Sequence, residues 1–135
     1  MTKVNLKEVV ENLIDTFLDA GELALDLRKK GLTKTIKSDN TPVSNGDLEV
    51  NKIITNKIRD LTPDISIVSE ETSENKKNEE LSDFWLIDPI DGTYDYINDL
   101  DEFTINAGLI LDKKPAAGLI YVPAKKRMFY SYGED

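Results

Sequence analysis

The 135-residue sequence contains no cysteine and no histidine. Without thiols there is no disulfide framework and no thiolate metal site. Without imidazole there is no Ser-His-Asp triad, no His-ligated zinc and no imidazole acid/base step. Any hydrolysis must use carboxylates, hydroxyls and a hard metal ion. Basic residues are also in deficit, 17 Lys and Arg against 26 Asp and Glu for a net charge of −9. That balance argues against a nucleic-acid polymer as partner, because phosphate backbones need a basic face. No apolar run approaches a membrane span, and the N-terminus has an amphipathic pattern in place of a signal peptide's apolar block. The expectation is a cytoplasmic protein with no transmembrane segment.

Hydrophobic residues make up 39% of the chain and charged residues 32%, a globular mixture. A chain of this size is one domain and buries roughly two-thirds of its unfolded surface. There is no internal repeat and no low-complexity linker, so residues 1–135 read as a single domain.

The stretch Asp83 to Thr93, DFWLIDPIDGT, organises the rest. Phe84-Trp85-Leu86-Ile87 reads as a short buried strand that delivers Asp88 and Asp91 into the turn directly after it. Pro89 stiffens the spacing between the two carboxylates, and the Ile90 carbonyl is a third oxygen able to face the same point. Gly92 and Thr93 follow, where a backbone turning into a helix offers N–H groups to an anion. Asp-Pro and Asp-Gly are also ordinary turn dipeptides. What lifts them above that is a second apolar strand, Ile65-Ser66-Ile67-Val68, which ends in Ser69-Glu70-Glu71. Two strands then present carboxylates from their carboxyl ends, the edge where open α/β sheets bind ligands. Clustered carboxylates repel one another unless a cation neutralises them, and an all-oxygen donor set favours Mg²⁺ over zinc.

Along the chain, Asn5 and Glu8 have capping-box spacing before a long amphipathic helix ending near Gly31. Gly21 inside that helix implies close packing against a neighbour. Thr33 to Ser38 reads as a strand or extended segment, and Asp39-Asn40-Thr41-Pro42 as a turn. Ser44 or Asn45 caps a second helix from about Asp47 to Asp60, ended by Thr62-Pro63. Asp47, on its first turn, complements the helix dipole. The segment between Glu71 and Asp83 reads as an exposed loop. A short helix follows Thr93, and the strands Phe103 to Leu111, Ala117 to Val122 and Lys126 to Tyr132 form a meander. The fold class is a layered α/β (α+β) sandwich with two helices covering an extended sheet.

The segments LIDPIDGT and VSEE, with KSDNTPVSNGD upstream, resemble the inositol monophosphatase superfamily of magnesium-dependent, lithium-sensitive phosphatases. With DEFTINAGLI and GLIYVPAKKRMFYS, the chain looks most like the CysQ-type 3′(2′),5′-bisphosphate nucleotidases. Family members are roughly twice as long, so the resemblance covers an amino-terminal portion of a five-layer sandwich. It implies a phosphoric monoester hydrolase acting on a small phosphorylated substrate, with two or three Mg²⁺ ions in the complete site. Glu70, Asp88 and the Ile90 carbonyl would hold one ion, with Asp88 and Asp91 bridging toward a second. Asp47 and Thr93 would activate the attacking water. Asp91, Gly92 and Thr93 would bind substrate, and Glu71, Lys37 and Asp39 would border the site.

Two segments depart from the family pattern. Its usual Thr-x-Ala-Asp lead-in is Ser44-Asn45-Gly46-Asp47 here, and the Lys-Glu-Phe that follows DGT in nucleotidases is Tyr94-Asp95-Tyr96. The implied reaction is conversion of 3′-phosphoadenosine 5′-phosphate to AMP and phosphate, with inositol monophosphatase activity as the alternative. A truncated, noncatalytic metal-binding fragment is the alternative of another class. The absent carboxyl-terminal half, or self-association in its place, is the implied partner. The implied location is cytoplasmic, with peripheral placement at the inner membrane as a family trait.

Overall fold

The computed structural model describes residues 4–37, 42–69 and 82–133. Helix α1, Leu6–Lys30, starts where the Asn5 side chain accepts a hydrogen bond from the Glu8 N–H at 3.1 Å. Val10, Leu13, Phe17, Ala20 and Ala24 recur at helical spacing and are fully buried. Gly21 is small for a reason: a Cβ there would lie 2.3 Å from the ring of Tyr121. Strands β1 (Lys34–Ile36) and β2 (Pro42–Ser44) form an antiparallel ribbon leading into helix α2, Asn45–Leu61. Val50, Ile54 and Ile58 line the buried face of α2. Beyond its end, Trp85 Nε1–H donates to Thr62 Oγ1 at 3.0 Å, tying the helix to the central strand.

Beneath the helices lies a five-stranded sheet in chain order: β3 (Ser66–Ser69), β4 (Phe84–Asp91), β5 (Thr104–Leu111), β6 (Lys114–Val122) and β7 (Arg127–Ser131). β3 and β4 are parallel and the remaining pairs antiparallel. β5 and β6 are joined at Asp112-Lys113, both with positive φ, the geometry of a tight hairpin. The short helix α3, Thr93–Ile97, connects β4 to β5. Side chains alternate across the sheet. Trp85, Ile87, Ile105, Ala107, Leu109 and Leu119 face the helices and are buried. The opposite face carries the cross-strand rows Leu86–Gly108–Gly118 and Asp88–Asn106–Ile120–Phe129. There Leu86, Ile120 and Phe129 are each about half exposed around a groove of about 620 Å³.

This is the layered α+β arrangement expected, with two helices over an extended sheet. Two local expectations are corrected. The segment before α2 contains a strand, β2, that its short sequence concealed. β4 does not end at Ile87 with both aspartates in a turn beyond it; it continues through Asp91. Pro89 falls at a bulge in this strand, where a residue without an N–H is tolerated.

Candidate active site

The bulge decides where the carboxylates point. In a regular strand, residues three apart face opposite sides, so Asp88 and Asp91 would be separated by the sheet. Here Asp88 pairs with Asn106 and Asp91 with Thr104, three residues of β4 against two of β5. The extra residue cancels the odd spacing and returns Asp91 to the side that Asp88 occupies. Asn106 registers the result, since its Nδ2 donates to Asp91 Oδ2 at 3.2 Å. The Asn106 side-chain oxygen Oδ1 is buried and has no hydrogen-bond partner among the described residues. Next to this strand, the Ser69↔Ile87 register sets the carboxyl end of β3 one residue short of Asp88. Ser69 Oγ–H donates to Asn51 Oδ1 of α2, anchoring that end.

Asp47 is fully buried at the start of α2, and its two oxygens have different tasks. Oδ2 accepts the Ser44 N–H at 2.9 Å and the Ser44 hydroxyl at 2.6 Å, completing a capping box in which the Asp47 N–H donates back to Ser44 Oγ. Oδ1 accepts the Thr93 hydroxyl at 2.8 Å. The Thr93 Oγ1 also lies 3.2 Å from the Ile90 carbonyl, but its single proton goes to the shorter, carboxylate partner. The lone pairs of Thr93 Oγ1 are then left to accept. Gly92 makes the turn into α3 with φ +94°, and a Cβ there would sit 3.0 Å from the Glu102 carbonyl oxygen.

The structure thus brings Asp47 to Thr93, and Asp88 to the same side of the sheet as Asp91, with the Ile90 carbonyl between them in the chain. Lys37 follows β1 at the end of the ribbon opposite Ser44. Glu70, Glu71 and Asp39 lie outside the described residues. Among the described residues no group of three acidic side chains forms a ready metal cage. The oxygen donors of Asp88, Ile90 and Asp91 nevertheless fit a hard divalent cation in kind.

Sequence reasoning missed three contributors. Asn106 belongs to an ordinary-looking strand, and only the bulge brings it to Asp91. Ser44 was legible as a cap but not as a donor to the side chain of Asp47. Tyr96 is fully buried and donates its hydroxyl to the Ala24 carbonyl of α1 at 2.6 Å. Burial pushes its phenol well above the usual range, nearby Asp47 adds to the rise, and Arg28 opposes it.

These features describe an α+β protein with oxygen donors gathered on a bulged strand and, two residues beyond it, a threonine bonded to a buried aspartate. The chain belongs to the inositol monophosphatase family, whose sequence model matches residues 5–134. It is 34% identical over 125 residues to the 3′(2′),5′-bisphosphate nucleotidase CysQ of Aggregatibacter actinomycetemcomitans, covering 91% of this chain and 46% of that protein. The protein of the same name from Salmonella typhimurium is 38% identical over 96 residues, covering 70% of this chain and 39% of its relative. Among solved structures, an IMPase/NADP phosphatase complexed with NADP and Ca²⁺ superposes with a TM-score of 0.85 at 19% identity. That match covers 97% of this chain and 50% of the other. The chain therefore spans about half the length of the relatives it matches. No helix among the described residues is long and apolar enough to cross a membrane.

Proposed function

We propose that this chain carries the amino-terminal part of the catalytic domain of a Mg²⁺-dependent phosphatase. The reaction is removal of the 3′ phosphate of 3′-phosphoadenosine 5′-phosphate, giving AMP and phosphate. The observation that carries the reading is the 2.8 Å hydrogen bond from Thr93 to buried Asp47, two residues beyond the bulged aspartate pair. The names of the sequence relatives support the substrate class.

Thr93 acts through its hydroxyl. Because its proton is held by Asp47, the oxygen accepts a hydrogen bond from a water and orients that water's lone pair toward phosphorus. As the water attacks, its proton passes to Thr93 Oγ1 while the threonine proton moves to Asp47 Oδ1, and the hydrogen bonds from Ser44 to Oδ2 keep that carboxylate in place. The N–H groups of Gly92 and Thr93 hold phosphate oxygens at the first turn of α3. Asp88, the Ile90 carbonyl and Asp91 would hold a divalent metal ion, with Glu70 as the further donor that the family resemblance implies. When bound, such ions supply charge neutralisation and a more acidic water. By the family resemblance Glu71, Lys37 and Asp39 would assist this site, and the second half of the relatives' length would complete the substrate surface.

A second reading, inositol monophosphatase activity, is favoured by Tyr94-Asp95-Tyr96, which lacks the lysine suited to a second substrate phosphate. A third reading, noncatalytic metal binding, needs only the oxygen donors of Asp88, Ile90 and Asp91. Phosphate release with and without Mg²⁺ separates them. The proposed function predicts release from 3′-phosphoadenosine 5′-phosphate in excess over inositol 1-phosphate. The reverse preference supports the second reading, and release from neither substrate supports the third.

A further inference from the structure

Gly46, on the first turn of α2, and Tyr96, in α3, lie in different segments of the chain. In the fold they meet. A Cβ on Gly46 would sit 2.2 Å from the Tyr96 hydroxyl oxygen and 2.6 and 2.7 Å from its ring carbons Cε2 and Cζ. The phenol oxygen that a phenylalanine lacks thus takes the space that an alanine methyl would need.

Tyr96 has no freedom to give way. Its hydroxyl is bonded to the Ala24 carbonyl at 2.6 Å, and its N–H donates to the Gly92 carbonyl at 3.0 Å. Its ring packs on Phe103 with centroids 4.9 Å apart. The Arg28 guanidinium lies 5.7 Å from the ring centroid, and Arg28 is itself held by Asp99, Asp101 and the Leu100 carbonyl. Gly46 directly precedes Asp47, and Tyr96 sits one helical turn after Thr93.

We propose that Tyr96 is a positioning residue: tethered to α1 and seated on Gly46, it sets the approach of α3 to α2 and so the contact between Thr93 and Asp47. This rests on the reading of that pair as the water-activating relay. Gly46 and Tyr96 act as one matched unit, in which either change alone mis-sets the spacing. A side chain added at Gly46 drives α3 away by about an ångström, enough to take a 2.8 Å hydrogen bond out of range. Tyr96→Phe removes both the nearest obstructing atom and the tether to Ala24, leaving the ring free to slide.

The test is a substitution cycle on the whole chain with Gly46→Ala, Tyr96→Phe and the double variant. It is read by thermal unfolding and by the NMR signal of the Thr93 methyl group. Gly46→Ala should lower the unfolding midpoint by roughly 5–10 °C and displace the Thr93 resonance. In the double variant, Tyr96→Phe should recover at least half of that loss and return the resonance toward its original position. Additive losses, or an unmoved Thr93 signal in Gly46→Ala, would overturn the proposal. If Gly46→Ala does not fold, folding of the double variant supports the matched pair and its failure to fold overturns it. None of these readouts requires turnover, so an inactive relay and a failed positioning role give different results.

Discussion

Thr93 and Asp47 are 46 positions apart in the chain, yet the threonine hydroxyl donates to the one carboxylate oxygen of Asp47 that is not engaged in capping α2. One side chain thereby joins the start of a helix to the segment that follows a bulged strand, and the two duties can be separated experimentally.

In a chain completed with a family carboxyl-terminal half, Asp47→Asn and Thr93→Ala should each lower kcat by roughly 100-fold or more. An amide that keeps its oxygen toward Ser44 presents N–H to Thr93, and the threonine proton then turns to the Ile90 carbonyl. The double variant should be little worse than either single one, since residues acting as a unit lose function together. Steady-state kinetics of the three proteins check this, and multiplicative losses would mean independent roles.

Asp88→Asn should abolish specific Mg²⁺ or Mn²⁺ binding, and Zn²⁺ should show no tight site on this cysteine- and histidine-free chain. Asn106→Ala should weaken Mg²⁺ binding by about 10-fold, because Asp91 loses the amide that orients it. Isothermal titration of the three proteins decides both; equal affinities would remove the metal assignment.

Alkaline stability should report Tyr96. Its folded-state pKa is raised above the unfolded value of 10.0, so its contribution is complete below about pH 10 and is lost as the pH rises from there toward the folded pKa. The slope from this one group is about 1.4 kcal/mol per pH unit. Denaturant unfolding of Tyr96→Phe between pH 9 and 11 should show a flatter decline than the parent chain; parallel curves would contradict the assignment.

Alone in solution, the chain should self-associate through the sheet face bearing Leu86, Ile120 and Phe129, each about half exposed. Sedimentation should show mass rising with concentration, and Phe129→Glu should reduce it. A compact monomer at all concentrations would show that this face needs no cover.

Much of this was legible from pattern alone. Asn5, Ser44, Gly21 and the apolar stripes of α1 and α2 announce themselves because helix caps and helical periodicity are local properties. The strands β3 and β4 were legible for the same reason, as two apolar runs followed by acids, while their side-by-side parallel pairing was not. β2 was hidden because three residues are too few to show alternation. The length of β4 was hidden because Pro89 and Gly92 signal a turn with equal strength whether or not a bulge absorbs them. Asn106 beside Asp91 and Tyr96 against Gly46 are long-range meetings, and no window of sequence contains both partners.

The bulge in β4 also bears on how this segment can vary. Pro89 and Ile90 need no reactive side chains, yet their number sets the geometry: losing one would remove the bulge and leave Asp91 on the side of Asp88 with a shorter reach, whereas losing both would set the aspartates side by side in the chain and swing Asp91 through the sheet to the helix-covered side. Length at this point should therefore tolerate the loss of the one bulged residue better than the loss of both, and neither residue between the aspartates is held there by the chemistry of its side chain.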